Sequence, residues 1–333
     1  MSILKIVTFS TGRLTEAGRL LALCQKRANA AIPALLSQGE TEKLAIRVLA
    51  GEWEKTGVSG AAALEGDKLV GYVIGQKQEN AMRGRHVWIS LVGQAIALEQ
   101  PVELYRDLYA AAAQEWVDEG YFYHCAMVPA GNPDLLQTWF CLGFGHEQVH
   151  GLLSLKQFQP SASSLRVDGV ELRLATPEDR EAFADVSPLI RTYQAKSPVF
   201  GVALPEDAHK IRDGYSGLVD DPQVDLWIAK KGGEIISFQA YFPADPDPIT
   251  MTPEHCIELG VAGTQPEYRG SGINFALTTR GLAHAKEKGY HYCITDWRMT
   301  NLQSSRYWPR QGFVPIVYRL SRLIDHRIAW AKG

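Results

Sequence analysis

Ten residues, Gln265-Pro-Glu-Tyr-Arg-Gly-Ser-Gly-Ile-Asn274, stand between an apolar strand-like run, Cys256 to Thr264, and a helix-like run, Phe275 to Lys288. A glycine-rich turn in that place is suited to holding an anion. The first N–H groups of a helix have no partner inside it, and the helix dipole adds partial positive charge there. Gly270 and Gly272 let a ligand approach the backbone with no β-carbon in the way, and Arg269 adds a permanent cation. Charge-assisted hydrogen bonds of roughly 1.5–3 kcal/mol each outweigh a dipole contribution of about 0.3–1 kcal/mol, so donors rather than the dipole would do most of the holding. The turn fits a pyrophosphate; the plainer alternative is a tight connection that binds nothing.

The strand before this turn carries the next reactive group. With a period of two, Cys256, Glu258 and Gly260 share a face. A carboxylate partly buried in mid-strand has a raised pKa, which suits a general base, and Glu258 is the first candidate; its alternative is a solvated or ion-paired strand glutamate. Asp296, at the end of the following strand-like run, is the second. His255 falls on the opposite face. Cys256 is a nucleophile only if something lowers its pKa, and no motif nearby does so. The five cysteines are scattered, odd in number and without a CxxC pair, so neither a disulfide framework nor a zinc site is suggested, and no metal is expected.

Composition narrows the class. The chain has 333 residues, 46% hydrophobic and 21% charged, enough for two globular domains. The formal net charge of −3 comes without a basic stripe, which gives no support to nucleic-acid binding. No apolar run approaches the roughly 20 residues of a membrane span. Met1-Ser-Ile-Leu-Lys-Ile-Val is interrupted too soon for a signal peptide and reads as a first strand, so a reducing cytoplasm is the expected location.

The elements that must position these groups occur twice. In the first half, Leu4–Phe9 reads as a strand, Thr15 as the cap of a helix towards Ala31, and Glu40–Trp53 as a second helix. A hairpin around Glu65-Gly-Asp, a strand at His86–Gly93, a helix at Val102–Glu119, a strand at Tyr121–Val128 and a helix at Asn132–Leu142 follow. In the second half the same order runs from Val170–Leu174 through a helix start at Thr176-Pro-Glu-Asp179, a helix at Pro205–Leu218 and a hairpin around Lys230-Lys-Gly-Gly-Glu. It continues with a strand at His255–Thr264, a helix at Asn274–Lys288, a strand at Tyr290–Thr295 and a helix at Asn301–Arg310. Asn132, Trp139, Gly143 and Phe144 recur as Asn301, Trp308, Gly312 and Phe313, offset by 169 residues, as expected of a duplication. The expected division is residues 1–156, a polar linker at 157–168, and 169–333. At the place of Arg269-Gly-Ser-Gly272 the first copy has Gln100-Pro-Val-Glu103; Pro101 lacks an N–H and Glu103 repels phosphate, so the cradle is expected in the second copy only.

From about Val170 to Leu320 the sequence resembles a GCN5-related N-acetyltransferase (GNAT) domain. The resemblance is carried by Pro266-Glu-Tyr-Arg-Gly-Ser-Gly-Ile, by the helix–strand unit after it, by Asn301…Ser304…Trp308…Gly312-Phe313, and by the opening Glu171-Leu-Arg-Leu-Ala-Thr-Pro-Glu-Asp. The first half is similar to the same family in layout only. The resemblance implies a mixed α/β fold of two tandem GNAT-like domains, each a mostly antiparallel sheet flanked by helices. It implies acetyl-CoA, or another acyl-CoA, as co-substrate, held by Arg269, Gly270, Ser271, Gly272, Ile273 and Asn274, with Val261, Ala262, Gly263 and Thr264 along the pantetheine and Asn301 on its other side. The implied reaction is acyl transfer to the amine of a small-molecule acceptor with Glu258 as base. A non-catalytic acyl-CoA-binding module and a peptide N-acetyltransferase are the alternatives. Two positions depart from the family pattern: Asn274 stands where Gly or Ala is usual, and Trp308 fills the tyrosine position of the general acid. Tyr307 is the nearest phenol, expected to serve if Pro309 distorts the helix.

Overall fold

The computed structural model describes residues 4–32, 35, 42–160, 166–247 and 251–331. The chain forms two compact units. Unit 1 is Met1–Val149 with Asp247–Met251 and Pro315–Gly333; unit 2 is His150–Pro246 with Thr252–Val314. Of the polar run 157–168, residues 157–160 and 166–168 carry no helix or strand, and 161–165 lie outside the described residues.

Unit 1 opens with β1 (Leu4–Thr8), α1 (Leu14–Ala30), α2 (Glu42–Trp53) and the β2–β3 hairpin (Val58–Glu65, Lys68–Asn80). Then come β4 (Gly84–Ile89), β5 (Gln94–Ile96), α3 (Leu104–Asp118), β6 (Tyr123–Pro129) and α4 (Pro133–Cys141). The order β1-β2-β3-β4-β6 is antiparallel except for the parallel β4–β6 pair, and β5 pairs with β3. Thr15 does not cap α1. A 3-10 turn at Thr11–Arg13 runs straight into the helix, so no side-chain cap is used. Glu40 and Thr41, placed in α2 by the sequence, lie outside the described residues. Asn132 caps α4, accepting from the Leu135 N–H at 3.1 Å. The core under α3 is aromatic, with Tyr109 edge-on to both Trp139 and Phe144 at 5.4 Å.

Unit 2 contains β8 (Glu171–Leu174), α5 (Arg180–Asp185), α6 (Pro188–Gln194), α7 (Ala208–Leu218), β9 (Asp225–Lys231) and β10 (Glu234–Ala244). It continues with β11 (Cys256–Thr264), α8 (Ile273–Glu287), β12 (Tyr292–Arg298) and α9 (Ser304–Arg310). The order β8-β9-β10-β11-β12 is antiparallel until the parallel β11–β12 pair. The capping box at Thr176 forms, and its Asp179 carboxylate also binds Arg173 and Lys230. One sheet face packs on α5–α7 through Phe183, Ile228, Phe238 and Ala240.

The last strand of each sequence half crosses over. β13 (Val314–Leu323), from the second half, pairs antiparallel with β6, from Val317↔Pro129 to Leu323↔Tyr123, and so belongs to unit 1. β7 (Gly145–Ser154), from the first half, runs through the boundary, and residues from His150 onward belong to unit 2. There Gly151 lies against Trp297 so closely that a β-carbon would sit 2.5 Å from the ring, and Leu155 N–H donates to His291 O at 2.8 Å. The compact units therefore do not follow the division 1–156 and 169–333 read from the sequence, because each is completed by a strand from the other half.

Candidate active site

The fork between β11 and β12 is the centre of unit 2. The β10–β11 register passes from Ala240↔Val261 to Tyr241↔Leu259, leaving Gly260 as a bulge. The β11–β12 ladder ends at Leu259↔Thr295, where Thr295 Oγ1 donates to Leu259 O at 2.8 Å. Beyond that rung β11 keeps only its β10 side, and Val261, Ala262, Gly263 and Thr264, all half-buried, run along the fork to the turn. Ala262 stands opposite Gln239, and the Thr264 hydroxyl is 2.8 Å from that of Ser237.

The turn has the backbone of an anion cradle. Gly270 and Gly272 have φ of 78° and 85°, which an L side chain rarely adopts, and a β-carbon at either would meet nothing within 4 Å. α8 starts with no side-chain cap, so its first N–H groups face the turn unspent. Buried Ile273 pins the helix start to the core. Ser271 Oγ donates to Tyr268 O at 2.6 Å. The Arg269 guanidinium stacks on Tyr193 of α6 at 4.6 Å, and its Nε donates to Thr264 O at 3.1 Å, which leaves the Nη groups for a ligand. A depression of about 580 Å³ starts at Ser271 and Gly272 and follows α8 along Phe275 and Thr279 to Gln311, with Arg166 at its rim.

Glu258 is exposed on β11, opposite Phe242 in the β10–β11 register. The protein around it and the nearby Asp296 carboxylate push its pKa above the ordinary carboxylate range. No hydrogen bond or ion pair holds it among the described residues. Cys256 is buried, its thiol pushed up to about 12, and is therefore no thiolate at neutral pH. His255 is exposed beside His291, with ring centroids 4.9 Å apart.

Three candidates are engaged inside the protein. Asn301 Oδ1 accepts from the N–H groups of Gln303 and Ser304 at 3.1 and 3.2 Å and so closes the turn that leads into α9. Asn274 turns inward, its Oδ1 accepting from Gln239 Nε2 at 2.9 Å, so it does not crowd the cradle. The Tyr307 hydroxyl is 2.8 Å from Thr278 Oγ1, and burial pushes its phenol up to about 12. α9 runs through Pro309, and Trp308 is core, 5.6 Å from Phe313. Sequence reasoning missed Gln239, Thr278 and Tyr193. For Gln239 a signal existed: it is the one amide in the apolar run Ile235–Phe242, where a buried polar group must have partners.

Unit 1 is built differently at the corresponding places. Gln94 pairs with Val73 as Ala262 pairs with Gln239. Its buried side chain donates to Met127 O at 2.8 Å and accepts from Trp139 Nε1 at 3.0 Å, bridging β6 and α4 across the fork. Trp88 takes the place of Glu258, pairing with Cys125 as Glu258 pairs with Ile294. Among the described residues no group of three or more His, Cys, Asp or Glu is placed to hold a metal, and no helix is long and apolar enough to cross a membrane.

The sequence profile of the acetyltransferase (GNAT) family matches residues 189–313. Over the whole chain the fold is similar to a GCN5-related N-acetyltransferase from Sphaerobacter thermophilus, at 13% identity and a TM-score of 0.62, covering 97% of this chain and 96% of that one. It is also similar to a tandem GNAT protein from the clavulanic acid biosynthesis pathway, at 14% identity and a TM-score of 0.53, covering 96% of this chain and 98% of that one. A third likeness is to a glucosamine N-acetyltransferase region in a fungal multi-domain GH3 β-N-acetylglucosaminidase, at 14% identity and 0.56, covering 96% of this chain and 38% of that one. At these identities the likeness is one of fold. No curated protein matches the chain.

Proposed function

Residues 189–313 form a domain of the acetyltransferase (GNAT) family, in a chain with the fold of a tandem GNAT protein, and from this we propose that unit 2 transfers an acetyl group from acetyl-CoA to an amine of a small-molecule acceptor. The observation that carries the reading is the open cradle at Arg269–Gly272 placed directly after a strand that parts from its neighbour. In this reading the free N–H groups of α8 and the Arg269 Nη groups hold the pyrophosphate. Val261–Thr264 align the pantetheine along the fork, and the depression beside α8 takes the adenosine end.

Acetyl-CoA supplies an activated acyl carbon. The chain supplies orientation and proton removal. Glu258 takes one proton of the acceptor ammonium, the amine nitrogen bonds to the acyl carbon, and as the carbon–sulfur bond breaks the nitrogen gives up its second proton to solvent. A thiol of pKa about 8.5 leaves as thiolate without a dedicated acid. Donation from Tyr307, with its pKa of about 12, would be uphill by about 3.5 pKa units, or roughly 5 kcal/mol. Backbone N–H groups on the open edge of β11 face the thioester oxygen as it gains charge.

Calorimetric titration with acetyl-CoA tests the reading. One site per chain is expected, because Gln94 fills the fork of unit 1, and Ser271→Glu should abolish it by placing a carboxylate in the cradle. Failure of the unchanged protein to bind any acyl-CoA would overturn the proposal. Tight binding with no amine ever acylated would favour a non-catalytic module, a reading that Trp308 in the core and the engaged Tyr307 keep in view.

A further inference from the structure

Behind the cradle lies a buried chain of polar groups whose proton order can be worked out. Tyr241 OH donates to Gln239 Oε1 at 2.7 Å. Gln239 Nε2 donates to Asn274 Oδ1 at 2.9 Å and to Thr278 Oγ1 at 2.8 Å. The Asn274 main-chain oxygen, an acceptor that cannot reverse, lies 3.3 Å from Nε2 and favours this orientation of the amide. The Thr278 hydroxyl spends its one proton on Asn274 O at 2.9 Å. With that proton on Asn274 O, the contact with Tyr307 at 2.8 Å is a donation from the phenol. Because Gln239 occupies Asn274 Oδ1, the Asn274 Nδ2 group is the one that meets the Tyr307 oxygen, with which its side chain also bonds.

This order has a mechanical consequence. Gln239 is fully buried in a sheet strand, and both of its amide protons go to α8, one to the second residue of the helix and one a turn further on. A leucine would fill the same space with no polar group to satisfy, so packing alone does not require an amide. The second residue of α8 also contributes one of the unspent N–H groups of the cradle. We propose that Gln239 is a positioning residue for acyl-CoA binding: acting through Asn274, it fixes the direction of the first-turn N–H groups of α8 without touching the co-substrate. The inference rests on the reading of unit 2 as an acyl-CoA site. It also gives Asn274, where the family pattern has Gly or Ala, a role that neither could perform.

The test compares acetyl-CoA and free CoA binding to the unchanged full chain and to Gln239→Leu by calorimetry, with transfer kinetics alongside. Loss of both donors should weaken acetyl-CoA and CoA equally, by about tenfold, while the KM for the acceptor and the pH profile stay where they were. A general loosening of unit 2 would move all of these together. Gln239→Glu keeps the acceptor for Tyr241 but loses the donors when ionised, so its weakening should lessen as pH falls. If Gln239→Leu does not fold, Asn274→Ala serves, with an expected loss of about threefold to tenfold. Unaltered co-substrate affinity in a folded variant overturns this inference alone. No binding by the unchanged protein overturns the acyl-CoA reading and this inference with it.

Discussion

Glu258 and Gly260 lie on one face of β11, and a β-carbon on Gly260 would stand 3.8 Å from Glu258 Oε1 and 3.0 Å from the Phe242 ring. The glycine at the bulge thus lets the Phe242 ring pack against the strand beside the carboxylate, at the point where β11 parts from β12. An amine reaching Glu258 from its exposed side would meet a carboxylate with no competing cation among the described residues. Replacing Glu258 by Gln keeps the shape and removes the base. The transfer rate should fall by about a hundredfold or more, while acetyl-CoA affinity, measured by calorimetry, stays the same. An unchanged rate would remove Glu258 from the mechanism.

The pH profile carries a second prediction. A base must be ionised to act, and the Glu258 pKa is raised by its surroundings and by Asp296. The acidic limb of kcat/KM should therefore fall at a pH above the usual carboxylate value of about 4.3. Asp296→Asn removes part of the cause, so that limb should move to lower pH. A shift in the opposite direction would mean that the titrating group is not Glu258.

How much of this could be read in the letters depends on the range of the interaction. The glycine turn is local: Gly270 and Gly272 announce positive φ, and the structure has it at both. The order of elements was likewise legible, since hairpin turns and the Thr176 box are short-range signals. Thr15 misled because a 3-10 turn at Thr11–Arg13 feeds α1 and needs no side-chain cap. The exchange of β7 and β13 was hidden, because alternation places a strand in a sheet without naming its neighbour. Gln94 and Gln239 look alike in sequence. Only their partners show that one bridges the unit 1 fork and the other ties down α8.

Asp179 offers a prediction about stability. It is 2% exposed, accepts from Arg173, Lys230 and the Thr176 N–H, and its pKa is held well below the carboxylate range, first by the Arg173 hydrogen bond. A depressed folded pKa means that its stabilisation is present above the unfolded value of about 3.9 and is lost as pH falls towards the folded one. Asp179→Asn should cost about 2 kcal/mol near pH 7, less than a fully buried pair because Arg173 is partly exposed. Urea unfolding of unit 2 at descending pH should show the two proteins converging below about pH 4. Equal midpoints at pH 7 would show that the cluster contributes nothing net.

Tyr307 decides whether the leaving thiol is protonated by the protein. Its hydroxyl bonds with Thr278 Oγ1 at 2.8 Å and with the Asn274 side chain, and burial pushes its pKa up to about 12. A phenol so held lacks the driving force to protonate a thiolate of pKa about 8.5. Tyr307→Phe removes the outer end of the network but leaves Gln239 bonded to Asn274 and Thr278. The rate should therefore drop less than tenfold, through the co-substrate KM, and the basic limb of the pH profile should persist. A loss of a hundredfold or more in kcat, with the basic limb gone, would instead make Tyr307 the general acid and require its hydroxyl to leave Thr278 when acetyl-CoA binds.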